Sequence, residues 1–128
     1  MRLPRQPAVW YAALAGWFGV LWFLSSQRSL PQPPVTIPDF DKLEHFTYFL
    51  IGGALFTLGN FLGNPERASW KKLILLTVLV IALIGFIDEW HQSFTPGRDG
   101  GDPWDWLADV SGGTTGALAI AMIHRRLR

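Results

Sequence analysis

Between Asp88 and Trp106 the chain reads DEWHQSFTPGRDGGDPWDW. Five acids, an Arg, a His and a Gln fall within these nineteen residues, and a further acid, Asp109, lies four residues beyond Asp105. A carboxylate beside an imidazole suits acid–base work, because partial burial raises the proton affinity of the acid. The same groups also bind amines, sugar hydroxyls or cations, and the Arg98 guanidinium matches a phosphate or carboxylate. On a helix Asp88, Glu89, His91 and Gln92 would cover an arc of about 160°, with Trp90 pointing the other way. Acids at a helix C-terminus oppose the helix dipole, so Asp88 and Glu89 call for compensation from a neighbour. Asp109 lies a full turn inside the next helix, on the face of Asp105, where no capping role explains it.

A second polar set lies upstream in DKLEHFTYF. His45 and Tyr48 fall within an arc of about 60° together with Gly52 and Gly59. Asp41, Glu44 and Asp102 have the positions of helix caps or capping-box acids. Lys42 reads as a side chain that snorkels to a headgroup, and Arg98 with Asp99 as a solvated loop pair. Taken singly, His45 is an interface histidine and Tyr48 an interfacial aromatic. Taken together, His45, Tyr48, Glu89, Gln92, Asp105 and Asp109 would meet in one pocket, with Arg98 on the loop above.

The elements that would position them are apolar. Blocks run over 8–24, 46–62, 73–87 and 107–123, and LILLTVLVIALIGFI contains no charge. Spans of roughly 17–25 residues cross a bilayer as helices, whereas a soluble helix would show a polar face at helical spacing. The expected fold is all-α, a four-transmembrane-helix bundle forming a single domain over 1–128. The N-terminal apolar run lacks a small-residue cleavage site and reads as a retained anchor.

Orientation follows from Lys and Arg. Four spans place Arg2, Arg5, Arg67, Lys71, Lys72, Arg125, Arg126 and Arg128 on one side, and Arg28, Lys42 and Arg98 on the other. The positive-inside rule then puts both termini in the cytoplasm. Nine of the ten acids fall on the opposite side, Glu66 being the exception. Trp10 and Trp70 would mark one interface, and Trp90, Trp104 and Trp106 the other.

Helix starts are signalled at Asp41, at Asn64–Pro65, and at Asp102–Pro103, where Asp105 would stand in the first turn. Four prolines stiffen the first linker, SSQRSLPQPPVTIPDFDK. Gly112 and Gly116 continue the Asp105–Asp109 face at a spacing that lets another helix approach closely. The expected bundle packs them against the glycine stripe of the second span, Gly52 included. The chain has no cysteine, which excludes disulfides and thiol chemistry.

DKLEHFTYF followed by EWHQSFTPGRDGGDPWDWLADVSGGTTG resembles the VanZ-like family of small bacterial membrane proteins. The matching features are Lys42, His45 and Tyr48, then Glu89, Gln92, Phe94, Pro96 and Arg98, then Asp105, position 109, Gly112 and Gly116. The resemblance is strongest over 40–120. At position 109 the family often has Asn where this chain has Asp, which adds a titratable group. The resemblance implies a multi-pass protein of the bacterial cytoplasmic membrane. The family's founding member is linked to low-level teicoplanin resistance, and no catalytic mechanism travels with the name.

Three functions fit these residues. The first is a binding module for an amphipathic envelope molecule, such as a lipid headgroup, lipid-linked glycan or lipoglycopeptide, through Lys42, His45, Tyr48, Glu89, Gln92, Arg98, Asp105 and Asp109. The second is a membrane enzyme using His45 with Glu89 or Asp105, or, with a metal, His45, His91, Glu89 and Asp109. The third is a structural subunit of a larger membrane assembly, in which Arg98 would bridge to Glu89 or Asp105. With no HExxH or paired-cysteine signature, neither metal nor cofactor is expected, and the near-neutral charge calls for no nucleic-acid partner.

Overall fold

A computed structural model describes residues 3–127. Four long helices make up the chain: α1 (Pro7–Ser25), α2 (Phe40–Gly63), α3 (Trp70–Gln92) and α4 (Pro103–Leu127). All four are long and apolar enough to cross a membrane. At 1.5 Å per residue they measure about 28 to 38 Å, against a hydrocarbon core of about 30 Å. No strand occurs among the described residues. Arg2 and Arg128, used above to assign orientation, lie outside the described residues.

The helices run alternately up and down. Gly59 meets Trp10 and Gly52 meets Trp17, so α2 is antiparallel to α1. Thr57 bonds Thr77 across α2 and α3, and Trp106 donates to the Ala82 carbonyl across α3 and α4. Pro7, Gly63, Trp70 and Leu127 therefore gather at one end, the terminal end. Ser25, Phe40, Gln92 and Pro103 gather at the other, the polar end.

In lipid the hydrophobic effect does not drive helices together, and close packing of small residues takes its place. The α2–α4 contact shows this. A methyl group added at Gly112 would strike the Phe46 carbonyl, and one at Gly116 the Leu50 carbonyl. One at Gly53 would strike the Gly113 backbone. Gly112 and Gly116 thus pack on α2 as their spacing suggests. Gly52 does not join them, because it accommodates the Trp17 ring of α1. Gly59 likewise faces Trp10 of α1. The glycine of α2 that meets α4 is Gly53.

Aromatic and aliphatic side chains fill the remaining space. Trp17, Leu21, Phe49 and Ile81 form one cluster, and Phe61, Leu62 and Leu73 form a second at the terminal end. Phe23, Leu79, Phe86 and Met122 point outward and are largely exposed, as expected of side chains solvated by lipid.

Two helix starts differ from their sequence signals. Asn64 and Pro65 open a short 3-10 turn, Pro65–Arg67, and α3 begins at Trp70 after Ser69. Helix α2 begins at Phe40 after Asp39, so Asp41 lies in its first turn and does not cap it. The third start holds. Asp102 Oδ1 accepts from the Trp104 backbone N–H at 2.8 Å, Pro103 opens α4, and Asp105 follows in the first turn.

Candidate functional site

The loop between α3 and α4 folds back over the polar end. Gly97 and Gly101 take positive φ angles of 83° and 80°, which a side chain would disfavour. Gly100 lies so close to the backbone of Gln92 and Ser93 that no Cβ fits. This compact turn brings the start of α4 beside the end of α3, and with it the acids of both.

Asp88 and Glu89 diverge from there. Asp88 turns to α1, where the Ser25 hydroxyl donates to Oδ1 and Gln92 Nε2 donates to Oδ2 at 2.8 Å. Gln92 in turn accepts from Arg98 Nη2 at 3.0 Å. Thr95 adds a bond to the Ser25 carbonyl at 3.0 Å, so this network ties α1 to the loop. Glu89 turns to α4, where its Oε2 accepts from the Asp102 backbone N–H at 2.9 Å. The compensation that acids at a helix C-terminus require comes partly from the positive end of the neighbouring helix.

His45 of α2 stands at the centre. A carboxylate accepts, so Nδ1–H donates to Asp109 Oδ1, at 2.8 Å. On the other side of the ring, Nε2 lies 3.9 Å from Glu89 Oε1 and 3.8 Å from Asp105 Oδ2. Asp109 is fully buried, and its second oxygen packs towards Gly85, where a Cβ would come within 2.8 Å of it. A bulkier residue at position 85 would displace the carboxylate. Lys42 Nζ closes the top of the cluster, 2.8 Å from Asp41, 2.9 Å from Asp105 and 3.3 Å from Asp102. Asp102 lies outside the spans. The Trp104 N–H above all, with help from the Lys42 ammonium, holds its carboxyl below the usual aspartate range against the opposing effect of desolvation.

A cavity of about 670 Å³ opens beside this cluster. His45, Gln92, Arg98, Asp41, Glu44, Asp99, Asp102 and Asp105 line it, and so do Leu21, Leu24, Phe49 and Ile51. Arg28, from the linker after α1, adds a second guanidinium.

The eight expected pocket residues therefore divide. His45, Tyr48, Gln92, Arg98 and Asp105 line the cavity. Glu89 and Asp109 lie buried behind His45, and Lys42 clamps α2 to α4 rather than reaching for a headgroup. The Tyr48 hydroxyl is turned away from the acids: it donates to the Trp17 carbonyl at 2.7 Å, and its ring stacks on Trp17. Arg98 turns inward to Gln92 and bridges neither to Glu89 nor to Asp105. His91 leaves the expected metal set, because it stacks on Trp22 with ring centroids 3.7 Å apart. Sequence reasoning missed Ser25, Arg28, Gly85 and the aliphatic wall from α1. A lone serine at the end of an apolar run gives no signal of its partner.

No family model, no curated protein and no solved structure matches this chain.

Proposed function

We propose that the chain is a VanZ-like integral membrane protein of the bacterial cytoplasmic membrane. Both termini lie in the cytoplasm, and the polar end faces outward. There its cavity binds an amphipathic envelope molecule: a lipid headgroup, a lipid-linked glycan or a lipoglycopeptide. One observation carries this reading. Arg28 and Arg98 line the same cavity as Leu21, Leu24, Leu30 and Ile51, and five acids, Asp41, Glu44, Asp99, Asp102 and Asp105, line it beside them to meet amines or hydroxyls. Guanidinium groups bind phosphate or carboxylate in paired hydrogen bonds. The aliphatic wall supplies the apolar surface that an acyl or prenyl chain would cover. The volume falls within the range of small-molecule sites, about 300–1,000 Å³. Altered glycopeptide susceptibility follows if the bound molecule is the drug or its target.

The structural-subunit reading has less support, because Gly112 and Gly116 are already used on α2 of the same chain. An acid–base enzyme keeps one supporting observation, the His45–Asp109 pair with two carboxylates facing the free side of the ring.

Calorimetric titration of the purified protein in mild detergent tests the binding reading. Lysophosphatidic acid should bind at least about tenfold more tightly than monoacylglycerol, since a charge-assisted hydrogen bond contributes about 1.5–3 kcal/mol. The double variant Arg28→Gln, Arg98→Gln should erase the difference. Equal affinity for both amphiphiles, or a double variant that still discriminates, would contradict the proposal.

A further inference from the structure

Glu89 is 4% exposed, and its Oε1 has no hydrogen-bond partner. A buried carboxylate oxygen in that state is costly. Most of its neighbours are satisfied: Glu89 Oε2 by the Asp102 N–H, Asp88 by Ser25 and Gln92, and Asp105 Oδ1 by Lys42, while Asp109 Oδ2 shares its lack of a partner. Glu89 Oε1 instead faces His45 Nε2 at 3.9 Å, beyond hydrogen-bond range. Asp105 Oδ2 faces the same nitrogen at 3.8 Å.

These separations have a simple chemical meaning. Metal–ligand bonds of about 2.0–2.2 Å set neighbouring ligand atoms roughly 3 to 3.6 Å apart. Shifts of a few tenths of an ångström would bring His45 Nε2 to that spacing from either carboxylate oxygen. One donor atom from each of His45, Glu89 and Asp109 already falls within 4.8 Å of the others. Asp109 Oδ1 is engaged at Nδ1, however, where it fixes the ring with Nε2 turned towards Glu89 and Asp105. Metal-binding histidines are generally held in this way by a carboxylate behind them.

We infer that His45 Nε2, Glu89 Oε1 and Asp105 Oδ2 form a divalent-cation site in the inner wall of the polar cavity, with Asp109 as its positioning residue. The mixed nitrogen and oxygen donors suit Zn²⁺ or Mn²⁺ better than Ca²⁺ or Mg²⁺, which take oxygen. The ligand set differs from the one drawn from sequence, since Asp105 replaces His91. The site is independent of the headgroup reading, because its test uses metal alone.

Chelator-treated protein in detergent is dialysed against Zn²⁺ or Mn²⁺ near neutral pH, and bound metal is counted by mass spectrometry. The expected result is one equivalent of at least one of them per chain, with Mg²⁺ bound at least tenfold more weakly. Glu89→Gln should lower the affinity at least tenfold and His45→Ala should abolish stoichiometric binding. Asp109→Asn should weaken it by about 10- to 100-fold, while Asp109→Glu restores part of the loss. Helical content and a single elution peak serve as fold controls. No stoichiometric uptake by the wild type would overturn the inference and leave His45 as a protonated ion-pair partner. So would undiminished uptake by folded Glu89→Gln and His45→Ala, which would place the metal elsewhere.

Discussion

At the terminal end of the bundle, Phe61, Leu62 and Leu73 pack with Trp10 and Trp70 around them, and midway along α2 and α4 the helix backbones are separated by nothing larger than a glycine hydrogen. At the polar end, Asp88, Glu89, Gln92, Asp105 and Asp109 are buried just as deeply. The two ends solve the problem of burial differently. Close contact between apolar groups stabilises the first without further conditions. The second depends on every donor meeting an acceptor, and it leaves Glu89 Oε1, His91 Nδ1 and Asp109 Oδ2 unmatched. Buried ionisable groups in a membrane are costly, and well-packed apolar groups would stabilise the same space as well or better. Asp88 and Gln92 offset that cost by tying α1 to the loop, whereas Glu89 and Asp109 each keep an oxygen without a partner.

Three substitutions would break or sharpen this contrast. The largest effect on stability is expected at the packed interface. Gly116→Leu would drive a side chain into the Leu50 carbonyl and the Ala54 nitrogen, both of them backbone atoms that have no rotamer to escape through. The loss should reach about 3 kcal/mol or more, read as a marked fall in thermal unfolding temperature in detergent. A folded variant of unchanged stability would show that the α2–α4 contact matters less than its geometry implies.

Glu89→Gln should behave in the opposite way. The amide oxygen can still accept from the Asp102 N–H, and Oε1 makes no hydrogen bond, only a 3.9 Å contact with His45 Nε2. Stability should change by less than about 1 kcal/mol, measured by the same thermal scan. A loss as large as that of Gly116→Leu would make Glu89 a structural residue and remove the distinction between the two ends.

The smallest effect belongs to Asp102→Asn at the rim. The folded-state pKa of Asp102 lies below its usual value. Its charged form therefore contributes stability above the unfolded pKa of about 3.9, and the contribution is lost as pH falls through the folded value. Wild type and variant should differ by a constant small amount from about pH 8 to pH 5 and converge below about pH 4. A difference that widens on acidification would reverse the sign of the Lys42 and Trp104 contacts.

The four spans were legible because lipid demands long apolar runs, and the charge-free third block leaves no other reading. Their ends were less so, since polar residues extend each helix past its apolar block. Asn64–Pro65 carries a good helix-start signature, but only a 3-10 turn uses it, and Ser69 takes over five residues later. The grouping of His45 with Glu89, Asp105 and Asp109 could be inferred from helical spacing and from the cost of burying charge. The glycine stripe of α2 was misassigned for a definite reason. That helix packs against α1, α3 and α4 at once, so Gly52 and Gly53, about 100° apart, serve different neighbours. Tyr48 lines the cavity as its spacing suggests, but the stacking of its ring on Trp17 was not legible.

The most direct test is a crystal structure of the chain grown from lipid. An amphiphile should lie in the cavity, its anionic group between Arg28 and Arg98 and its chain along Leu21, Leu24 and Ile51. A closed polar end, with Arg98 drawn down onto Glu89 or Asp105 and no room left beside His45, would contradict it.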